Sequence, residues 1–290
     1  MATSMNTFVA DHQLTIRLGF FFGVFAVMAL WEWLAPRRAL TVSKALRWTS
    51  NLGIVFLNTL LLRLLFGAAA VGVAQFARDQ AWGLFNYFDM AFALTVVIAV
   101  VALDFAIYLQ HVMFHAVPAL WRLHRMHHAD LDFDVTTGAR FHPIEIILSM
   151  LIKFAIIIVL GAPVLAVVVF EVLLNATSMF NHSNVRIPRA LDRALRWFVV
   201  TPEMHRVHHS IEDDETNSNF GFNLPWWDRL CGTYRDQPRA GHEAMTIGIR
   251  TFRDVAQCES LPRMLLMPFI GEVTGYAINR RTWGRPDEPR

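Results

Sequence analysis

The sequence predicts an all-α fold, an integral-membrane helical bundle made of three spans plus a helical hairpin, with a cytoplasmic histidine-rich helical cap. Hydrophobic residues make up 54% of the 290 residues, charged residues only 17%, and the mean hydropathy is +0.36. The apolar residues gather in four runs that are long enough to cross a membrane. Ten of the twelve histidines fall between residues 111 and 209, around the last two runs.

The first three apolar runs each have the length of one membrane span, since about 20 helical residues cross the hydrocarbon core of a bilayer. They are Leu14–Leu34, Asn51–Ala77 and Ala91–Phe114. Leu14–Leu34 is too long for the apolar part of a signal peptide, and no small-residue cleavage site follows it. We therefore expect this run to stay in the membrane as the first span.

The fourth run, Ile144–Phe180, is about twice as long as one span needs. It is interrupted in the middle by Gly161-Ala162-Pro163, a combination typical of turns. The run therefore predicts a helical hairpin that enters and leaves the membrane on the same side.

Arginine and lysine placement predicts the orientation, because positively charged loops stay in the cytoplasm. Basic residues follow the first span, the third span and the hairpin, whereas the loop after the second span is nearly neutral. The residues concerned are Arg37, Arg38, Lys44, Arg47, Arg122, Arg125, Arg186, Arg189, Arg193, Arg196 and Arg206. The N-terminus is therefore predicted to lie outside, and the C-terminal third in the cytoplasm.

Charge and cysteine content narrow the class of protein further. The formal net charge of +2 does not favour a nucleic-acid partner. Two cysteines, Cys231 and Cys258, are too few for a disulfide scaffold, which favours a reducing compartment.

Histidines form three clusters, HVMFH at 111–115, HRMHH at 124–128 and HRVHH at 205–209. Residues three and four apart share one face of a helix, so each cluster directs its imidazoles to one side. The eight histidines of these clusters are more than one tetrahedral metal ion needs. The pattern therefore predicts a centre with two metal ions.

The predicted topology brings these histidines to one depth. His111 and His115 end the third span at its cytoplasmic end, and the hairpin begins just after His142 and ends just before His182. The topology from apolar runs and basic loops agrees with the clustering of the histidines. All ten histidines are therefore expected at the cytoplasmic face of the membrane. His142 is expected to be either a ligand or a supporting residue. His12 and His242 lie outside the clusters and are interpreted as ordinary histidines.

Imidazole ligands suit iron, zinc, copper and nickel, so ligand type alone does not identify the metal. The sequence contains no HExxH, GxSxG, P-loop or GxGxxG motif. A centre at the membrane face can reach the carbon atoms of a lipid, and no side-chain acid or base removes hydrogen from an unactivated C–H bond. A metal ion that activates dioxygen can remove that hydrogen. This requirement favours iron over the redox-inert zinc.

The order HxxxH, HxxHH, HxxHH, with eight residues between the first two clusters, resembles the fatty acid hydroxylase/sterol desaturase superfamily of membrane di-iron enzymes. Asp104 and Tyr108 before the first cluster are also similar to that family. The resemblance covers about residues 90–236, and Val112 is a minor departure where members often carry arginine. Further similar stretches are TTGARFHP around His142, FNHSN around His182, TPEMHRVHHS at 201–210 and NFGFNLPWWDRLCGTYR at Asn219–Arg235.

The resemblance implies two non-haem iron ions, dioxygen as co-substrate, a lipid substrate and two external electrons. The implied ligands are His111, His115, His124, His127, His128, His182, His205, His208 and His209. His142, Asp104 and Tyr108 are the candidate supporting residues, and no catalytic side chain beyond the ligands is identified. Hydroxylation and desaturation both stay open, as do sterol, carotenoid and ether-lipid substrates.

The resemblance also implies a domain organisation and a partner. Residues 1–90 would form an N-terminal transmembrane region, 91–236 the catalytic domain and 237–290 a cytoplasmic or interfacial segment. No HPGG haem module and no flavin or iron–sulfur motif is present, so a separate ferredoxin- or cytochrome-type donor is expected. The predicted location is a bacterial inner membrane. The alternative outside enzymes is a membrane metal-binding or transport protein.

Charged residues inside predicted spans are costly and are expected to be paired or functional. Arg63 and Asp104 lie at similar depth in the second and third spans, which predicts an ion pair, unless Asp104 instead supports the metal centre. Lys153 and Glu171 are equally distant from the hairpin turn, which predicts a second ion pair.

Overall fold

The computed structural model describes residues 2–67, 69–88 and 90–273, and within these ranges the chain is helical, with no β-strand beyond isolated bridges. Fourteen α-helices lie in the described part of the chain. They are α1 (Ala2–Leu34), α2 (Lys44–Leu65), α3 (Ala69–Asp79), α4 (Phe92–Ala116), α5 (Pro118–His128), α6 (Pro143–Leu160), α7 (Val164–Asn181), α8 (Arg189–Leu195), α9 (Pro202–His208), α10 (Asp213–Thr216), α11 (Trp226–Cys231), α12 (Gly241–Ala244), α13 (Val255–Glu259) and α14 (Leu261–Leu266).

Five helical segments in the described residues are long and apolar enough to cross a membrane. They are Phe8–Leu34, Lys44–Asn86, Phe92–Ala116, Pro143–Leu160 and Val164–Asn181. Their outer faces carry large exposed apolar side chains, as lipid-facing surfaces do. The all-α membrane fold of three spans plus a hairpin is therefore confirmed, and the chain is an integral membrane protein.

The second predicted span, Asn51–Ala77, lies within the candidate membrane segment Lys44–Asn86, but the helix is interrupted inside it. Helix α2 ends at Leu65 and α3 begins at Ala69. Gly67 lies in the interruption, and glycine is a poor helix former. The separate α3 packs against α6 and α7, and its small buried residues Ala70 and Ala74 allow the close approach.

The predicted hairpin is formed by α6 and α7. Gly161 ends α6 in the left-handed conformation, with φ of 66°, and Pro163 caps the start of α7. Lys153 Nζ lies 2.7 Å from Glu171 Oε1, which confirms the predicted ion pair, and Arg17 of α1 contacts the same carboxylate. Three helices are thus joined by charged groups that satisfy one another within the membrane.

The loops separate into two ends of the bundle. At one end the loop after α1 meets the segment after α7, where Arg37 N donates to Asn184 O at 2.8 Å. We call this the cap end, because the short helices α8–α14 and the histidine clusters are connected to it. At the other end Gly83 packs so closely against the hairpin turn that a β-carbon there would collide with the Gly161 amide. This arrangement agrees with the predicted order of spans, whereas the side of the membrane stays a prediction.

A buried ionic network joins α2 to the cap end. Arg47 Nε lies 2.7 Å from Asp130 Oδ1, and Arg140 Nη1 lies 2.5 Å from Glu259 Oε2. Burial alone would raise the pKa of Asp130, but Arg47 and Arg140 hold it well below its usual value. Asp130 therefore stays ionised and anchors the segment that follows the second histidine cluster.

Candidate metal centre

Five buried histidines form the first group, with ligand nitrogens within 4.8 Å of one another. They come from the end of α4, from α5 and from α9, and are His111, His115, His124, His128 and His208. His111 Nε2 lies 3.1 Å from His124 Nε2 and 3.0 Å from His208 Nε2. The neighbouring helices α4 and α5 and the distant helix α9 therefore direct ring nitrogens at one point.

Four buried histidines form the second group, His127, His182, His205 and His209. His182 follows the last residue of α7, so the hairpin contributes to this group. Its Nε2 lies 3.2 Å from His127 Nε2 and 3.0 Å from His205 Nε2. The structure thus brings all nine sequence-predicted ligands together, divided between two groups.

The repeated HxxHH pattern explains this division. Consecutive residues on a helix point about 100° apart, so adjacent histidines serve different groups. His128 belongs to the first group and His127 to the second, and His208 and His209 divide in the same way. Helix α9 is short but well fixed, because Thr201 caps it by accepting a hydrogen bond from the Met204 amide at 3.3 Å.

Several ring nitrogens have no hydrogen-bond partner within the described part of the chain. These include the fully buried Nε2 atoms of His115, His128 and His209. A buried nitrogen without a partner is costly, and a metal ion bound at each group would satisfy it. The donor set therefore fits metal ions.

The protonation state also suits metal binding. Burial and then the neighbouring histidines lower the pKa of His128 and His209 well below the usual value. Burial lowers the pKa of His124 and His182 to about 3. These rings are neutral at physiological pH, which is the form whose nitrogen lone pair binds a metal ion.

The second nitrogen of several rings is held by an acceptor outside the groups. These Nδ1 contacts are His111 to Phe220 O at 2.8 Å, His115 to Asn217 Oδ1 at 3.2 Å, His124 to Glu145 Oε1 at 2.6 Å, His182 to Ser178 O at 2.8 Å and His208 to Ser218 O at 2.7 Å. Such acceptors fix the ring orientation and leave Nε2 free for the metal. The Nε2 atoms accordingly face one another in both groups.

Glu145 and Asn217 are not among the residues predicted from the sequence. Glu145 lies in the first turn of α6, three residues after His142, and its position in the fragment HPIE was a signal that could have been used. The carbonyl acceptors at 218 and 220 carry no sequence signal, since every residue has a carbonyl group.

His142 lies outside both groups. Its Nδ1 accepts a hydrogen bond from the Ile144 amide at 3.2 Å and caps α6, while its Nε2 lies 3.2 Å from Leu265 O. His142 thus positions the helix that carries Glu145, and the structure does not place it as a ligand.

Asp104 does not pair with Arg63, so that predicted ion pair was wrong. Its carboxylate accepts hydrogen bonds from the amides of Asn223 and Leu224, at 3.3 and 3.2 Å, and from Trp227 Nε1 at 2.8 Å. Arg63 is exposed on the outer face of α2. The donors to Asp104 lie on a segment that packs directly against α4, so the carboxylate is satisfied without Arg63.

Tyr108 and Asp104 both form hydrogen bonds to the segment that follows the last histidine cluster. The hydroxyl of Tyr108 lies 3.0 Å from Thr233 Oγ1, so both residues of α4 hold the stretch Asn219–Arg235. This stretch also supplies Phe220 O to His111. The support that these two residues give to the histidine groups is indirect, through the position of that backbone.

A membrane-embedded helical bundle with two buried all-histidine groups at one end defines a class of membrane protein with a candidate metal centre. Residues 96–233, which include all nine histidines, match the fatty acid hydroxylase family. Together with the relatives described next, this match supports a place for the chain in the fatty acid hydroxylase superfamily.

The chain is similar to several characterised proteins. It is 32% identical to the ornithine lipid hydroxylase OlsE of Rhizobium tropici over 60% of this chain and 51% of that protein. It is 29% identical to an alkylglycerol monooxygenase of Xenopus tropicalis over 51% of this chain and 32% of that one. With the cholesterol 25-hydroxylase of Rattus norvegicus it shares 24% identity over 50% of this chain and 48% of the relative.

The chain thus spans about half the length of these relatives or less. No solved structure matches it at a significant level. The division of the chain at residues 90 and 236 stays a prediction.

Proposed function

We propose that this protein is a membrane lipid hydroxylase whose two histidine groups each hold one iron ion. The observation that carries the proposal is the pair of buried all-histidine groups at the end of a membrane bundle, inside the region that matches the fatty acid hydroxylase family. In this proposal His111, His115, His124, His128 and His208 hold one ion and His127, His182, His205 and His209 the other.

When bound, iron would supply the dioxygen chemistry that an unactivated C–H bond requires. One oxygen atom enters the substrate as a hydroxyl group and the other leaves as water, with two electrons from a donor protein and two protons. The protein's own contribution is to hold nine imidazoles buried and oriented before the reaction begins.

Apolar side chains connect the membrane core to the histidines. The ring of Phe222 lies 5.2 Å from that of His111, and the ring of Phe141 stacks on His127 at 4.5 Å. Both phenylalanines pack against the apolar core that also contains Leu103 of α4. An alkyl chain that approached along these side chains would meet apolar groups before the histidines, which favours a lipid substrate.

Hydroxylation is favoured over desaturation, because the relatives that match are named as hydroxylases and monooxygenases. Their names cover an ornithine lipid, an alkylglycerol and cholesterol, so the substrate class proposed here is a lipid with an alkyl chain. The positive loops favour a cytoplasmic centre in a bacterial inner membrane, served by a ferredoxin- or cytochrome-type donor. A transport role is less favoured, since both groups lie at one end of the spans and not midway along them.

Expression in a host that lacks the activity, followed by comparison of whole lipid extracts, tests the proposal. The wild-type chain is expected to yield a lipid with one added oxygen atom, labelled when heavy-isotope dioxygen is supplied, and to bind two iron ions. His208→Ala should abolish the product, whereas the exposed His12→Ala in α1 should retain it. Product retained in His208→Ala, or oxygen derived from water, would contradict the proposal.

A further inference from the structure

A separate cavity lies at the cap end, lined by none of the nine clustered histidines. Its volume is about 350 Å³, within the usual range for a small-molecule site. Its walls come from the loop after α1, from the segment after α7 with α8, and from α9 and α12. Most of the lining side chains are charged or polar, so the cavity suits a polar group and not an alkyl chain.

The acidic residues of this cavity are already neutralised. Glu203 contacts Arg37 at 2.6 Å and Arg206 at 3.1 Å, and it lies 2.8 Å from His242 Nε2. Asp192 contacts Arg196 at 2.7 Å, and the exposed Glu243 contacts Arg37 at 2.7 Å.

Arg186 and Arg189 also line the cavity, and both are exposed. Neither side chain has a carboxylate partner among the described residues. Two guanidinium groups therefore face the cavity without a counter-ion, and guanidinium forks match the oxygens of phosphate.

The cavity lies near the ends of membrane helices, where lipid headgroups are expected. Arg37 follows the end of α1 by three residues, and Arg186 N donates to Ala35 O at 2.9 Å, so both follow directly from membrane helices. Next to α8, Trp197 and Phe198 are 58% and 71% exposed, as is typical of aromatic residues at a membrane surface. Exposed aromatic residues directly after α8 favour a membrane lipid over free phosphate as the source of the bound group.

We infer that this cavity binds the headgroup of an anionic phospholipid, with Arg186 and Arg189 on the phosphate. The cavity also presents His242, a 95%-buried residue whose Nδ1 has no partner while its Nε2 is engaged by Glu203 and Gln237. With the ring proton on Nε2, Nδ1 accepts a hydrogen bond, and a headgroup hydroxyl supplies one. Phosphatidylglycerol has both a phosphate group for the arginines and headgroup hydroxyls for His242.

The test uses the full chain in a neutral detergent, with phosphatidylglycerol, phosphatidylcholine or inorganic phosphate as the added probe. Binding is followed by native mass spectrometry and by the thermal unfolding midpoint. Phosphatidylglycerol should bind and raise the midpoint, and the Arg186→Gln/Arg189→Gln variant should bind it at least roughly tenfold more weakly. Arg193→Gln is the matched control, because Arg193 is an exposed arginine of α8, the helix that carries Arg189, and it does not line the cavity.

Equal binding by the double variant and the wild type would overturn the inference. So would equal stabilisation by inorganic phosphate or by phosphatidylcholine, since the first indicates a free-anion site and the second a non-specific lipid effect. An unchanged midpoint of the lipid-free double variant shows that the variant is folded. If it is lowered, the single variants Arg186→Gln and Arg189→Gln are compared in the same way. The readout is binding and not turnover, so its result is independent of the proposed hydroxylase activity.

Discussion

Glu145 Oε1 lies 2.6 Å from His124 Nδ1, so the first turn of the hairpin places a carboxylate directly behind one histidine of the first group. Both residues are buried, and the second carboxylate oxygen of Glu145 has no hydrogen-bond partner in the described part of the chain. This pair couples the insertion of the hairpin to the orientation of a proposed ligand.

Replacing Glu145 should weaken metal binding at the first group only. A carboxylate behind a metal-bound histidine fixes its tautomer, and its loss typically costs about 10–100-fold in metal affinity. Glu145→Ala is expected to lower affinity by that amount, and Glu145→Gln by less because an amide oxygen still accepts a hydrogen bond. Chelator competition measures the change, with the exposed Glu212→Gln as control. Equal affinity in Glu145→Ala and the wild type would show that the contact has no positioning role.

Single histidine variants should separate the two groups. His124→Ala removes a residue of the first group and His182→Ala one of the second, so each protein is expected to retain about one metal ion instead of two. His142→Ala should retain both ions, because His142 caps α6 and lies outside the groups. The His142→Ala substitution should lower the free energy of unfolding by about 1 kcal/mol, as for a lost N-cap. Metal content per chain, measured on each purified variant, distinguishes these outcomes, and loss of one ion in His142→Ala would contradict the geometry.

The sequence predicted the elements that depend on periodicity and composition. Helical spacing placed His127 and His128 on one helix, and equal distance from the turn predicted the Lys153–Glu171 pair that the structure contains. The interruption at Gly67 was missed, because an apolar run does not reveal a helix break unless the flanking packing is known.

The hydrogen-bond acceptors that hold the histidine rings could not be predicted from the sequence either. The carbonyl of Phe220 reaches His111 from the stretch Asn219–Arg235, which Asp104 and Tyr108 hold against α4, and Asn217 lies just before that stretch. Depth alone suggested the wrong partner for Asp104, since similar depth in two spans does not establish that the spans face each other.

Metal removal should destabilise the protein. Without metal, ring nitrogens such as those of His128 and His209 stay buried without a partner, and a ligand that binds only the folded state stabilises it. Extended chelation is expected to lower the thermal unfolding midpoint by several degrees, and re-addition of ferrous iron should restore it. The same treatment should leave the midpoint of a His124→Ala/His182→Ala double variant nearly unchanged. A midpoint that does not respond to chelation in a protein shown to have lost its metal would indicate that the groups are satisfied without it.

The stability of the metal-free protein should fall as the pH is lowered from about 7 to about 5. Burial lowers the pKa of His124 and His182 to about 3, whereas unfolded histidine titrates near 6.5. Between these values the unfolded chain binds more protons than the folded chain, so each such histidine reduces stability by up to about 1.4 kcal/mol per pH unit below 6.5. Unfolding midpoints at a series of pH values measure this slope, and it should be shallower when both histidines are replaced by glutamine. A slope that is the same in the variant would show that these two rings are already protonated, or solvated, in the folded protein.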